Sequence, residues 1–108
     1  VDAIKYDDDK PRTDLLPSNA LICVSKVFGY GAKKYTEGEH SGEFNYKKGK
    51  GLDHTRVFAS IQRHLLAWNG GENLDESGMP HLWHACCGIM MLIDLIESGI
   101  GKDSRFRV

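Results

Sequence analysis

The run PHLWHACCGIMMLIDLIESG, residues 80–99, decides the fold. Pro80 suits a first helical turn and Ser98-Gly99 a stop, so the spacing predicts one helix from about Pro80 to Glu97. Leu82, Trp83, Ala85, Cys86, Ile89, Met90, Met91, Leu92, Ile93, Leu95 and Ile96 make it apolar nearly all round, the pattern of a helix covered on several sides. Its longest apolar stretch, Ala85 to Ile93, is too short to cross a bilayer. A chain of 108 residues fits one small domain, which buries only about two thirds of its unfolded surface. A second copy of the chain is therefore the economical cover, giving a helical bundle completed by dimerisation. The plainer alternative is a monomer whose own arm and long loop fold over this helix.

Two further helices precede it. Pro17 and Ser18 supply start signals, and Leu21, Val24 and Phe28 recur at helical spacing, so the first helix begins near Ser18. Gly29-Tyr30-Gly31 is expected to end or kink it, with Ala32 to Tyr35 as a possible last turn. Asp53 is placed as the N-cap of the second helix, with Leu52 packing on Val57. Val57, Phe58, Ile61, Leu65 and Trp68 form its apolar stripe, and Asn69-Gly70-Gly71 stops it. Thr36 to Gly51 and Glu72 to Met79 read as loops. The fold class is thus all-α with three main helices: residues 1–17 an extended arm, 18–99 the helical domain, and 100–108 a charged, frayed tail.

Fourteen basic residues against fifteen acidic ones argue against a nucleic-acid polymer or a membrane surface as the partner, so any anion site is local. Cys23, Cys86 and Cys87 are odd in number and lack a C-x-x-C pair, which reads as reduced thiols in a cytoplasmic compartment. The acidic start, without an apolar segment, gives no secretion signal.

Chemistry concentrates on the last two helices. Arg56, Ser60 and Arg63 fall on one stripe with His64 beside them, and two guanidiniums on one face can grip phosphate oxygens, although such a stripe is as often a solvated face. His81 and His84, at i and i+3, interrupt an otherwise apolar helix and are candidates for acid–base work, phosphate contact or metal ligation. Glu72, Asp75 and Glu76 lie in the connecting loop, where carboxylates could hold Mg²⁺ or Mn²⁺, Glu72 and Asp75 being the candidate ligands, and are equally ordinary loop acids. Lys10 and Arg12 in the arm, and Lys33 and Lys34 with Tyr35, add cations and an aromatic surface for a base. No phosphate-binding glycine loop of the P-loop or dinucleotide type is present.

Several ordered blocks then point to a family: Lys5-Tyr6-Asp7, Lys10-Pro11-Arg12, Asp14-Leu15-Leu16-Pro17, Gly31-Ala32-Lys33-Lys34-Tyr35, Arg63-His64-Leu65-Leu66-Ala67-Trp68 with Gly71-Glu72, Asp75-Glu76-Ser77-Gly78, and Pro80-His81-Leu82 with His84-Ala85. Together they resemble the phage-encoded dATP/dGTP diphosphohydrolase N-terminal domain. The resemblance implies a phage origin and action on purine deoxynucleoside triphosphates, yielding the monophosphate and pyrophosphate. Under it, His84 and His81 are the catalytic candidates. Lys10, Arg12, Lys33, Lys34, Tyr35, Arg56, Arg63 and His64 would bind the nucleotide, and Glu72 and Asp75 would hold the metal. The sequence has no Glu-x-x-Glu pair of the kind helical pyrophosphohydrolases present, only Glu72-x-x-Asp75 and Asp94-x-x-Glu97. A second reading therefore stands: a non-catalytic sponge that sequesters a signalling nucleotide of host defence.

Overall fold

The computed structural model describes residues 1–107 as an all-α chain with no strand among them, only two isolated bridges. Helix α1 spans Ser18–Lys34, α2 His54–Asn69 and α3 His81–Glu97. Residues 1–17 are exposed throughout, with one short 3₁₀ turn at Thr13–Leu15. No helix is long and apolar enough to cross a membrane among the described residues.

Helix α3 is central, packing along α2 and, over a smaller area, against α1. Its Ala85 and Leu95 join Val57, Ile61 and Tyr46 in one buried cluster. Cys87 joins Val24 and Val27 in a second, and Phe28 and Met91 pack against both. Helix α1 runs straight through Gly29-Tyr30-Gly31 to Lys34, so it does not end there. Tyr35 closes α1, and the Thr36 hydroxyl donates to Ala32 O while accepting from Gly42 N, which docks the following loop on the helix end. Gly42 must be glycine, since a Cβ there would stand 2.1 Å from Ala32 O.

The apolar stripe expected on α2 is only partly covered. Val57 and Ile61 are buried, whereas Phe58, Leu65 and Trp68 are exposed. Packed against α3 alone, α2 has room to bury only a narrow i, i+4 seam. The two helices pack closely at Gly88, where an added Cβ would lie 2.6 Å from Ile61 Cγ1. The chain beyond Ile100 does not fray at once. Lys102 O accepts from His54 N, and the Ser104 hydroxyl accepts from Thr55 N, so these residues take up backbone donors at the start of α2. Asp53 occupies the N-cap as expected, but its side chain makes no capping hydrogen bond.

Candidate active site

Because α1 and α2 both rest on α3 and touch each other little, a cleft of about 700 Å³ opens between them. Lys34 and Tyr35 at the end of α1 form one wall, and Arg56, Ser60, Arg63 and His64 on α2 the other. His84, Cys87 and Gly88 of α3 form the floor. The loop before α2 adds Phe44, Asn45 and Tyr46, and the loop after it Asp75 and Glu76. The stripe of Arg56, Ser60 and Arg63 is therefore a cleft wall. Lys10, Arg12 and Lys33 lie outside the cleft, and the Arg12 guanidinium is taken by Asp14 in a two-point contact at 2.8 Å.

At one end of the cleft three histidines and a carboxylate meet. His64 Nδ1 lies 2.9 Å from His81 Nδ1, and the His64 and His84 rings stack with centroids 4.8 Å apart. Asp75 reaches both elements, with Oδ2 3.9 Å from His64 Nδ1 and Oδ1 3.4 Å from His84 Nε2. The connection between α2 and α3 sets this geometry. A bridge between Leu74 and Pro80 closes the loop, and Gly78 N donates to Asp75 O with Gly78 at φ 84°, a left-handed conformation suited to glycine. Ser77 N donates to Asp75 Oδ1 at 2.8 Å, and the Ser77 hydroxyl lies 2.8 Å from His84 Nε2.

The electrostatics follow from these contacts. Burial pushes both His64 and His84 below the usual imidazole range, and neighbouring histidines add to it while Asp75 opposes it. Burial alone would raise the Asp75 carboxyl, but hydrogen bonds from Ser77 and the nearby histidines hold it below its ordinary value. Asp75 only accepts, so the arrangement that satisfies all three groups has His84 Nε2–H donating to Ser77 Oγ and Ser77 O–H donating to Asp75. His84 Nδ1 is then its basic nitrogen.

His81 is buried, and its Nε2 has no hydrogen-bond partner although Glu72 Oε2 stands 3.3 Å away in poor alignment. The group able to hold a cation among the described residues is His64, Asp75 and His81, whose donor atoms lie within 4.8 Å of one another. Asp75 thus stands where a metal ligand would, while Glu72 faces the far side of the His81 ring.

Sequence reasoning missed His64 as a partner of His81. No local signal gives it, since His64 lies five residues before the end of α2 while His81 opens α3, and the path of the connecting loop decides that they meet. It also missed Phe44 and Asn45. Phe44 takes φ 53°, a left-handed conformation rare outside glycine, which turns the chain at the cleft mouth.

A family model described as dATP/dGTP diphosphohydrolase, N-terminal, matches residues 2–105. The chain belongs to this family. A "dATP/dGTP diphosphohydrolase" of Salmonella phage PMBT28 is 28% identical over 103 residues, covering 94% of this chain and 32% of that protein. The chain spans about a third of the length of that relative. No solved structure matches it. The blocks Arg63-His64, Asp75-Glu76-Ser77-Gly78 and His81-Leu82 with His84, on which the resemblance read from the sequence rests, are the segments that build the histidine–carboxylate end of the cleft.

Proposed function

We propose that this domain binds a purine deoxynucleoside triphosphate in the cleft and hydrolyses it to the monophosphate and pyrophosphate. The observation that carries the reading is the placement of Lys34, Arg56 and Arg63 in the same cleft as the His–Asp cluster. The two arginines and Lys34 neutralise the phosphate oxygens, and Tyr35 with Phe44 offers aromatic faces to the base, beside the Asn45 amide. His84 takes a proton from water, the water oxygen bonds to the α-phosphorus, and the bond from that phosphorus to the α,β-bridging oxygen breaks. Pyrophosphate leaves with its charge held by the arginines. A divalent cation would be held at Asp75, where it would polarise phosphate oxygens and acidify bound water.

A second reading, sequestration without cleavage, is favoured by the fate of the other acidic pair. Asp94 accepts from the Tyr46 hydroxyl at 2.6 Å and pairs with Lys47 at 3.0 Å, so the first acid of Asp94-x-x-Glu97 is spent on structure. Incubating the protein with deoxynucleoside triphosphates and cyclic nucleotides, with and without Mg²⁺ or Mn²⁺, separates the two. Monophosphate exceeding the protein supports the hydrolase, whereas a nucleotide that vanishes and returns intact after heat denaturation supports the sponge. Asp75→Asn is expected to stop turnover, and full activity in that variant refutes the role given to Asp75.

The assembly belongs to the same proposal. Leu82, Cys86, Ile89, Ile93 and Ile96 are all exposed and recur along α3 at alternating spacings of four and three. That is the seam of a helix pair, and a second copy of the chain is its natural cover.

A further inference from the structure

The closed end of the cleft holds a donor set that the phosphate-binding role does not use. His64 Nδ1 and His81 Nδ1 point at each other across 2.9 Å, and Asp75 Oδ2 stands 3.9 Å from His64 Nδ1. Two facing Nδ1 atoms share one proton at most, so in the metal-free protein one ring is fixed as donor and the other as acceptor. Two imidazoles bound tetrahedrally to one ion stand about 3.3 Å apart, as bond lengths near 2.0–2.1 Å require. The observed pair needs to open by only a few tenths of an ångström, and the carboxylate needs a rotamer adjustment of similar scale. On the far side of the His81 ring, Nε2 is buried with the Glu72 carboxylate 3.3 Å away. A metal-bound histidine characteristically gives its other ring N–H to a carboxylate, which fixes the tautomer that leaves Nδ1 bare.

We propose that His64 Nδ1, His81 Nδ1 and Asp75 form a binding site for a first-row transition ion of the Zn²⁺ class, with Glu72 orienting His81. Two imidazoles and one carboxylate suit Zn²⁺, Co²⁺ or Mn²⁺, whereas Mg²⁺ demands oxygen ligands in near-octahedral array. Three protein ligands leave a position open for water or a phosphate oxygen. The proposal deepens the hydrolase reading at the same end of the cleft, and rests on it only for the use made of the ion.

The test reads binding without nucleotide. Chelator-treated protein is titrated with Zn²⁺, Co²⁺ or Mg²⁺ by calorimetry, and thermal unfolding is followed alongside. The expected result is one Zn²⁺ per chain, a raised Tm, no displacement by excess Mg²⁺, and a Co²⁺ visible spectrum of low coordination number without a thiolate charge-transfer band. Glu72→Gln is expected to weaken Zn²⁺ by about 10- to 100-fold, and His64→Gln and Asp75→Asn by more. Unchanged Zn²⁺ affinity in folded His64→Gln and Asp75→Asn, a thiolate band, or Mg²⁺ binding as tight as Zn²⁺ overturns the proposal. Should those variants not fold, the Co²⁺ spectrum of the native chain still decides. Zn²⁺ bound as expected with no nucleotide turnover would refute the hydrolase reading and leave the metal site standing.

Discussion

Replacing Gly88 by alanine tests the contact that sets the distance between α2 and α3, and with it the distance between His64 and His81. The new Cβ would lie 2.6 Å from Ile61 Cγ1 and 3.5 Å from Cδ1, while the backbone keeps its helical conformation. Alanine gains about 1 kcal/mol over glycine in a helix interior. The overlap falls on a β-branched neighbour that is buried and cannot swing away, and overpacking of this kind costs about 1–3 kcal/mol. The net expectation is a loss of roughly 1 kcal/mol, or about 4–8 °C in Tm for a domain of this size. Urea denaturation of Gly88→Ala, Ile61→Ala and the double variant forms the assay. Ile61→Ala alone is expected to cost about 2–5 kcal/mol, and distinctly less once Gly88 is alanine, because each change then fills or relieves the space of the other. A Gly88→Ala protein more stable than the parent, or costs that add to within about 0.5 kcal/mol, would refute the close approach.

Arg56→Ala and Arg63→Ala are each expected to weaken nucleotide binding by about 10- to 100-fold, the loss of one charge-assisted contact of roughly 1.5–3 kcal/mol; calorimetry with a dATP or dGTP panel checks this, and unchanged affinity in both would remove the phosphate from the cleft. The Tyr46 hydroxyl, with Lys47 and Ser98, holds the Asp94 carboxyl below its ordinary value, so this pairing contributes stability above the unfolded-state value near 3.9 and loses it as pH falls through the lower folded-state value. Asp94→Asn should therefore flatten the fall in stability in denaturant titrations below about pH 4 without abolishing it, since Asp103 is held low by Arg105 in the same way. Light scattering at micromolar concentration should report a homodimer, and Ile93→Glu on the α3 seam should return a monomer that keeps its helical circular dichroism; a parent protein that is monomeric refutes the assembly.

The all-α class and the three helices were legible because periodicity and punctuation agreed: Pro80, Ser98-Gly99 and Asn69-Gly70-Gly71 stand at or beside the observed ends. Where the reading went astray, tertiary packing overrode a local signal. Gly29 and Gly31 look like a stop, yet α1 continues to Lys34, where the Thr36 hydroxyl, bonded to Ala32 O and Gly42 N, docks the next loop on its end. Phe58, Leu65 and Trp68 look like core, yet only the i, i+4 seam of α2 meets a neighbour. Gly88 gives no sign in the sequence that Ile61 of α2 packs closely against it. At the site, residues on one helix were readable as a group, as with Arg56, Ser60 and Arg63. The meeting of His64 with His81 depends on the register of two helices across a loop, and the place of Asp75 on a turn closed by Gly78, neither of which periodicity reports.

The charge balance of the cleft joins the phosphate-binding wall to the histidine end. Lys34, Arg56 and Arg63 line it together with the carboxylates of Asp75 and Glu76, a surplus of one positive charge. His64 and His84 add nothing to that surplus at neutral pH, since burial holds both below their usual range. A nucleoside triphosphate brings roughly four negative charges, because its terminal phosphate group is mostly ionised at neutral pH. One surplus cation leaves most of that charge uncompensated in a cleft walled by protein, where repulsion is stronger than in water. A divalent ion on His64, Asp75 and His81 would raise the surplus to three, close to what the ligand carries. The cationic wall can recognise phosphate unaided, but tight binding of a triphosphate calls for the second charge source. On this balance, nucleotide affinity should rise when the Zn²⁺ site is filled, and metal affinity should rise in turn when nucleotide is bound.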